Sequence, residues 1–203
     1  MKRFVWAALA ALVVVSFAVP AFAQDAGAKF ATHIQAHAVK STLICGSESP
    51  SDSTAGPPVP CTDYVTQWPL LSGADLYIVI AQADSAGIGA ASFGIEYDNA
   101  AGSGVDISGF EACITGLPFY SDVPAWPASG SGARLTWLLP DDCQSQVIGS
   151  DGVHAVAGAF YVYAYTDDRF VVTPNRTLLS GDELAISNCS GATTQFDIDN
   201  VER

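Results

Sequence analysis

The stretch from Asp75 to Asp98 constrains the fold more than any other part of the sequence. Residues 76–83 form a nearly unbroken apolar run with Val and Ile at its centre, which is typical of a strand buried on both faces. Alternation of apolar and polar residues then resumes over 92–97, which indicates a strand with one core face and one wetter face. Gly87 and Gly89 lie between the two runs, where a connection requires permissive backbone. Together these features predict a two-layer β domain.

The rest of the sequence continues this pattern of short strands. Gly, Pro and Asp turns separate the candidates, and no segment keeps a helical period. The longest candidate spans Gly152 to Thr166, and a Pro-rich loop is predicted from Phe110 to Gly132. We predict an all-β, antiparallel, immunoglobulin-like sandwich of about eight or nine strands in a single domain. The further strand candidates cover residues 30–40, 105–107, 134–139, 170–173, 183–187 and 193–198.

Residues 1–23 are predicted to be a secretory signal peptide. Two basic residues precede an apolar run over 4–18, and Ala21-Phe22-Ala23 places small residues at the positions that signal peptidase inspects. The run is shorter than the ~20 residues that a membrane-spanning helix needs. We therefore expect cleavage before Gln24 and export through the Sec pathway. The predicted mature domain is 24–203, secreted to the extracellular space or retained in the periplasm.

The predicted mature domain is strongly acidic. Removing the two basic residues of the signal peptide leaves six Lys and Arg against 21 Asp and Glu, a formal net charge of −15. Nucleic acids and anionic membrane surfaces bind clusters of Lys and Arg. The sequence therefore predicts no nucleic-acid partner and no stable membrane insertion after signal cleavage.

All five cysteines lie in the predicted mature domain, where an oxidising compartment favours disulfides. Cys45 and Cys61 bracket a polar, Pro-rich loop over 45–61, and pairing them would stabilise the fold by roughly 3 kcal/mol through loop entropy. Cys113 with Cys143 is the second predicted pair, which leaves Cys189 over. Cys143 with Cys189 is the competing pair, because connectivity cannot be deduced from a sequence. Either choice gives two disulfides and one remaining thiol.

The sequence contains no metal motif. It lacks any C-x-x-C element, which argues against a zinc site or a redox motif. His33 and His37 share a strand face but stand about 13 Å apart at the usual rise, too far for one metal ion. Acidic turns at 141–142, 167–168 and 197–200 offer oxygen ligands that suit calcium, but the last fails the EF-hand pattern because its glycine is missing. We expect no cofactor, and calcium binding stays an open alternative without a motif.

No catalytic template fits the sequence. The chain has only three histidines and no G-x-S-x-G nucleophile elbow. A glycosidase needs two carboxylates across a cleft, and nothing in the spacing of Glu96, Asp106 and Glu111 predicts that they converge. The sequence therefore predicts a protein that is not an enzyme and has no catalytic residues.

The most specific surface feature is a row of three tyrosines, Tyr161, Tyr163 and Tyr165. Alternate positions on a strand would place their rings about 7 Å apart on one face. Rings with hydroxyls at this spacing can lie against sugar rings, and Trp126 in the long loop would extend such a platform. Cross-strand aromatic packing is the alternative, because aromatic pairs are common in sheets. These four residues are the predicted binding site.

Two core motifs resemble those of known proteins. The segment Phe93–Asp98 matches an F-x-x-x-Y-D pattern that ends one core strand, and Gly158–Val162 matches a later G-x-F-x-V strand. With these motifs, residues 75–189 resemble a group of uncharacterised secreted bacterial β-sandwich proteins and are distantly similar to cohesin-type modules. The resemblance implies a cohesin-like β-sandwich. The five cysteines and the loop at 119–132 depart from the cohesin pattern, so dockerin binding is assigned to no residue.

Three functional hypotheses follow from these observations. The first is an exported, non-enzymatic binding or adhesion module whose ligand is a polysaccharide or an extracellular protein. The second is a structural component of an extracellular or envelope assembly, and the third is a hydrolase. A binding module would present an exposed aromatic strip, and a structural component would present an open strand edge or a large apolar patch. A hydrolase would have a cleft with convergent carboxylates.

Overall fold

The computed structural model of the protein describes residues 27–37, 45, 60–114, 116–120, 126–176 and 182–195. The predicted signal peptide, most of the predicted loop between residues 45 and 61, and the acidic segment 197–200 lie outside the described residues. Within them, no helix is both long enough and apolar enough to cross a membrane.

The described residues form two antiparallel sheets. The first, named sheet one, has four strands in the order β1 (Lys29–Ala36), β2 (Gly73–Ala83), β7 (Val153–Ala164) and β4 (Val105–Ala112). Sheet two has six, namely β10 (Thr193–Gln195), β9 (Ala185–Ser187), β3 (Ala90–Glu96), β6 (Gly132–Thr136) and β5 (Phe119–Tyr120) in that order, with β8 (Val171–Thr173) paired to the second half of β3.

The predicted antiparallel β-sandwich is confirmed. The described residues contain ten strands, slightly more than the number expected, because β5 is only two residues long and several others have three. Most strands begin or end a few residues from their expected bounds, and two differences are larger. The strand expected over 105–107 runs on to Ala112, where it pairs with Gly158 of β7, and β5 lies within the segment expected to be a loop.

The two strands of the 75–98 stretch lie in different sheets, so the chain crosses from one layer to the other between them. As expected, β2 is buried on both faces from Ala74 to Ala81. The expectation of a wetter face on β3 is wrong, because Ser92 and Gly94 are buried. The reason is position: β3 is the central strand of sheet two, between β6 on one side and both β8 and β9 on the other.

The apolar inner faces of the two sheets form the core. Phe30 of β1, Phe93 of β3 and Phe160 of β7 are fully buried, and the rings of Phe30 and Phe93 are 5.7 Å apart. Trp126 lies between the sheets, with its ring 5.9 Å from Phe93 and 5.6 Å from Phe160. Burial of each large apolar side chain contributes about 1.5–3 kcal/mol. This core fixes which faces of the strands are left to point outward.

The predicted pairing of the cysteines is wrong at both bonds. Cys45 is joined to Cys113, and Cys143 to Cys189, with Cα–Cα distances of 5.3 and 5.6 Å. The competing pair of the sequence analysis is thus confirmed, as are two disulfides and one thiol. Cys61 is not bonded to Cys45 because it packs beside the turn that precedes β7, where its backbone N–H donates to Asp151. Cys45 lies at the end of β4, where Cys113 follows.

The corner between β2 and β3 is closed by the Cys143–Cys189 disulfide. The turn begins at Asp84, whose carboxylate accepts a hydrogen bond from the backbone N–H of Ala86 at 2.7 Å. Gly87 has a φ of +74°, which an L side chain rarely adopts. A Cβ at Gly87 would lie 2.6 Å from the sulfur of Cys143 and 2.9 Å from that of Cys189. The position therefore requires glycine for both conformation and space.

The disulfide pattern is directly testable. The purified protein can be alkylated at its thiols, digested without reduction and mapped by mass spectrometry. The map should contain peptides that link Cys45 to Cys113 and Cys143 to Cys189. Cys61 should be recovered in the alkylated form. Recovery of a Cys45–Cys61 peptide as the major species would contradict this connectivity.

Replacement of Gly87 by alanine tests the packing at the corner. Gly102→Ala is the matched control, because Gly102 has a φ of +78° with no atom within 4 Å of an added Cβ. The control should lower the free energy of unfolding by roughly 1 kcal/mol through its backbone conformation alone. Gly87→Ala should lower it by about 2–4 kcal/mol, because contact with the disulfide adds to that cost. Urea denaturation measures both values, and equal losses would show that the disulfide does not pack on Gly87.

Candidate functional site

The three predicted tyrosines lie at the outer face of sheet one. Their neighbours Phe160 and Val162 point into the core. Tyr161 and Tyr163 are half-buried, and Tyr165, which directly follows β7, is 38% exposed. The rings of Tyr163 and Tyr165 are 5.0 Å apart with an interplanar angle of 59°. The row is therefore a partly exposed aromatic strip whose rings are tilted against each other.

Polar groups border this strip on both sides. The ring of His37 packs edge-on against Tyr161 at 5.0 Å, and its Nδ1 lies 2.8 Å from Oδ1 of Asp75. On the other side, the exposed Asp106 of β4 accepts a hydrogen bond from the hydroxyl of Tyr165, which raises the pKa of that phenol. We call this surface the tyrosine face and define it by Tyr161, Tyr163, Tyr165, His37, Asp75 and Asp106.

Trp126 does not join the tyrosine face. It packs at right angles to Phe110 at 5.1 Å and also contacts Phe93 and Phe160, all on the core side of the sheets. The expectation that it extends the tyrosine platform is therefore wrong. The indole fills space between the layers, where burial of a large aromatic ring is favourable.

His33, the other histidine considered as a metal ligand, lies on β1 and is buried. It is only 6% exposed, because residues 61–65 cover this part of sheet one. The backbone N–H of Val65 donates to its Nδ1 at 3.2 Å, and the rings of Tyr64 and Tyr77 lie beside it. Burial lowers the pKa of His33 and raises that of Tyr77 to about 12. His33 is therefore neutral at neutral pH, and both neighbouring phenols keep their protons.

The carboxylates considered for a hydrolase lie apart. Glu96 of β3 forms an ion pair with Arg176 at 2.7 Å on sheet two. Glu111 of β4 lies on sheet one, where its backbone oxygen and side chain approach Cys45. Asp106 lies beside Tyr165 on the tyrosine face. These three groups do not form the convergent pair that glycoside hydrolysis requires.

An open groove of about 370 Å³ lies between the sheets. Its lining is mainly apolar and includes Trp68, Leu76 and Phe170. Asp168 is the only carboxylate among the described residues that line it, and Asp168 accepts a hydrogen bond from the backbone N–H of Asp98 at 2.9 Å. The groove therefore lacks the paired acid and base of a hydrolytic site.

A second cluster, not identified from the sequence, lies at the start of β7. Cys61, Asp151 and His154 each offer a potential metal-ligand atom, and these atoms all lie within 4.8 Å of one another. Sγ of Cys61 is 3.8 Å from Nε2 of His154. The backbone N–H of Cys61 donates to Oδ2 of Asp151 at 2.8 Å. Among the described residues, Cys61, Asp151 and His154 are the one group of three potential metal ligands found within this distance.

Local backbone structure builds this cluster. Cys61–Asp63 form a 3-10 turn, in which the backbone N–H of Tyr64 donates to the carbonyl of Cys61 at 3.2 Å. Side chains three residues apart eclipse in such a turn, so Cys61 and Tyr64 both face His154. Asp151 lies in the turn that precedes β7, and His154 is the second residue of β7. No contiguous sequence motif contains the cluster, because Cys61 and Asp151 are separated by 90 residues. The one local signal was the D-x-x-H spacing of Asp151 and His154 after a glycine-containing turn.

Burial sets the protonation states around the cluster. His154 is 8% exposed, and burial lowers its pKa although the nearby Asp151 acts in the opposite direction. Burial likewise raises the pKa of the Tyr64 phenol, with the charges of Cys61 and Asp151 adding to the effect. The hydroxyl of Tyr64 and Nδ1 of His154 form a close pair, 3.0 Å apart. At neutral pH the pair therefore consists of a neutral imidazole and a protonated phenol.

No family model matches the chain, and no curated protein matches it. Among solved structures, the chain is similar to the sixth cohesin of scaffoldin B from Acetivibrio cellulolyticus, which was crystallised in complex with a mutant dockerin. The two share 12% identity over 67% of this chain and 86% of the cohesin, with a TM-score of 0.39. The distant cohesin-like similarity expected from the core motifs is found, and no residue role is taken from it.

The buried His33 should make stability depend on pH. Because its pKa is lowered in the folded state, the unfolded chain binds this proton more readily, so stability is present above about pH 6.5 and falls as the pH drops below it. His33→Asn keeps an acceptor for the N–H of Val65 but cannot be protonated. Between pH 7.5 and 5.5 the wild type should lose about 1 kcal/mol more than this variant. Urea denaturation of both proteins at both pH values measures this difference, and the contribution of His154 cancels because both proteins contain it. Equal losses in the free energy of unfolding would contradict the role of His33.

Proposed function

We propose that this chain is an exported, non-enzymatic binding module that binds a polysaccharide on the tyrosine face. The observation on which this rests is the partly exposed row of Tyr161, Tyr163 and Tyr165 with polar side chains along both of its sides. An exposed aromatic strip is the feature that distinguishes a binding module from the structural and hydrolytic alternatives.

The chemistry of the tyrosine face suits sugars. Tyrosine rings offer apolar surface to the C–H faces of a sugar ring, while their hydroxyls can exchange hydrogen bonds with its hydroxyl groups. Asp106 is exposed and His37 is partly exposed, so both can add polar contacts at the border. Strands β7 and β4 are antiparallel neighbours in sheet one, and Asp106 of β4 lies opposite Tyr163 of β7. The surface is therefore elongated along the strands, as a chain-like ligand requires.

Other features of the chain support export and a binding role. Two disulfides fit an oxidising compartment, which agrees with the signal peptide predicted over 1–23. A structural component that assembles through an open sheet edge is less well supported. The edge strand β1 is partly covered, because the backbone N–H of Ile34 donates to the carbonyl of Val65 at 2.8 Å.

The proposal predicts that the tyrosines dominate ligand binding. The mature protein should bind at least one insoluble polysaccharide in pull-down assays or one glycan on an array. The triple variant Tyr161→Ala/Tyr163→Ala/Tyr165→Ala should weaken this binding at least tenfold, a loss of about 1.4 kcal/mol, since it removes the apolar platform. The corresponding triple Tyr→Phe variant separates ring contacts from hydroxyl contacts and should retain part of the affinity.

A variant on the opposite surface serves as the control. Thr136 and Thr193 are exposed on sheet two, so Thr136→Ala/Thr193→Ala should leave binding unchanged. Thermal unfolding followed by tryptophan fluorescence establishes that each variant is folded. The alternative result is a wild-type protein that binds no glycan, with or without calcium, and recovers a specific protein from the native extracellular fraction. That result would contradict the polysaccharide and identify a protein as the ligand. Glycan binding that survives in the folded alanine triple variant would place the site elsewhere.

A further inference from the structure

We propose that Cys61, Asp151 and His154 bind a single zinc ion. The three residues come from two separate segments of the chain, and the fold brings their ligand atoms to within 4.8 Å of one another near the start of β7. This site lies on the covered part of sheet one and is distinct from the tyrosine face. The proposal does not depend on the ligand of that face.

The spacing of the ligand atoms fits a tetrahedral zinc centre. Zinc binds a thiolate sulfur at about 2.3 Å and an imidazole nitrogen at about 2.0 Å, so two such ligands on one ion stand about 3.6 Å apart. The observed distance from Sγ of Cys61 to Nε2 of His154 is 3.8 Å. The ligand atoms of the whole trio lie within 4.8 Å of one another, so small side-chain movements would complete the coordination.

The kinds of ligand select the metal. A thiolate, an imidazole and a carboxylate form the donor set that borderline-soft divalent ions prefer, whereas calcium and magnesium take oxygen ligands. Asp151 has two carboxylate oxygens, so it can retain the hydrogen bond from the N–H of Cys61 and bind a metal with the other oxygen. Three protein ligands leave a fourth position for water, as in zinc sites that are open to solvent.

A second observation is the partner of the other imidazole nitrogen. Histidines that bind metals almost always use their second ring nitrogen in a hydrogen bond, which fixes the tautomer and the ring orientation. Here the hydroxyl of Tyr64 lies 3.0 Å from Nδ1 of His154, and the two rings pack edge-on at 6.2 Å. A proton on Nδ1 that is donated to this hydroxyl leaves the lone pair of Nε2 directed toward Cys61. Tyr64 is thus a positioning residue for the ligand His154.

The surroundings of the cluster also fit a metal site. Tyr64 packs on the small apolar cluster of Tyr77, Val79 and Ala159, which gives the site an apolar floor. Cys61 and Asp151 are partly exposed, so an ion can enter without unfolding of the protein. Zinc bound here would connect the segment that covers sheet one to the turn that begins β7, and would stabilise the folded state by mass action.

The test uses the mature protein, treated with EDTA, dialysed and shown by thiol titration to contain one reactive thiol. Calorimetric titration with zinc chloride and metal analysis should give one zinc per chain. Saturation should raise the melting temperature by roughly 5–10 °C at a free zinc concentration of one hundred times Kd, and should protect Cys61 from alkylation. Cobalt(II) in place of zinc should produce a thiolate-to-metal charge-transfer band in the near ultraviolet.

Variants connect these signals to the proposed ligands. Cys61→Ser should abolish the cobalt charge-transfer band and weaken zinc binding at least tenfold, and Asp151→Asn and His154→Gln should each weaken it by a similar factor. Tyr64→Phe should lower the affinity about tenfold through the orientation of His154. His37→Gln is the matched control, because His37 also lies beside a carboxylate on sheet one but outside the cluster.

Three results would overturn the proposal. The first is a folded wild-type protein without the charge-transfer band or without one zinc per chain. The second is unchanged zinc affinity in folded Cys61→Ser protein. The third is a loss in His37→Gln as large as that in Cys61→Ser, which would place the ion near Asp75 instead. Melting curves of the metal-free variants show whether each one is folded.

Discussion

The structure depends on the packing of the inner face of sheet one against β3 of sheet two. Phe160 and Phe93 approach from opposite layers, and Trp126 fills the space between them. Because this contact orients β7 with Phe160 and Val162 inward, the alternate residues of the strand must point outward. The position of the tyrosine face is therefore a direct consequence of the core.

The outer face of sheet one is divided into two parts with different properties. Residues 61–65 cover one part, where Tyr64 packs on Tyr77 and Val79 and where His33 and His154 become buried. The other part stays open and presents the tyrosine face. This division explains why the two histidines of the covered part have lowered pKa values. The proposed ligand surface and the proposed zinc site thus lie on separate parts of the outer face of sheet one.

Much of the fold was predictable from local patterns. The apolar run of β2, the long strand β7 and the glycine at position 87 each reflect a constraint that acts within a few residues. Contacts between distant segments were predicted less well. The choice between Cys61 and Cys113 as partner of Cys45 depends on which segments the sheets bring together, as does the insertion of Trp126 into the core. Neither leaves a pattern in the neighbouring sequence.

The sequence alone determined the two-layer β architecture and the presence of a tyrosine row on one strand face, because alternation along a strand dictates which side chains share a face. Only the tertiary structure decided the disulfide connectivity, the burial of His33 and the meeting of Cys61 with Asp151 and His154. The physical reason is distance along the chain. A convergence of residues 90 positions apart follows from the packing and register of whole strands, which no short window of sequence encodes.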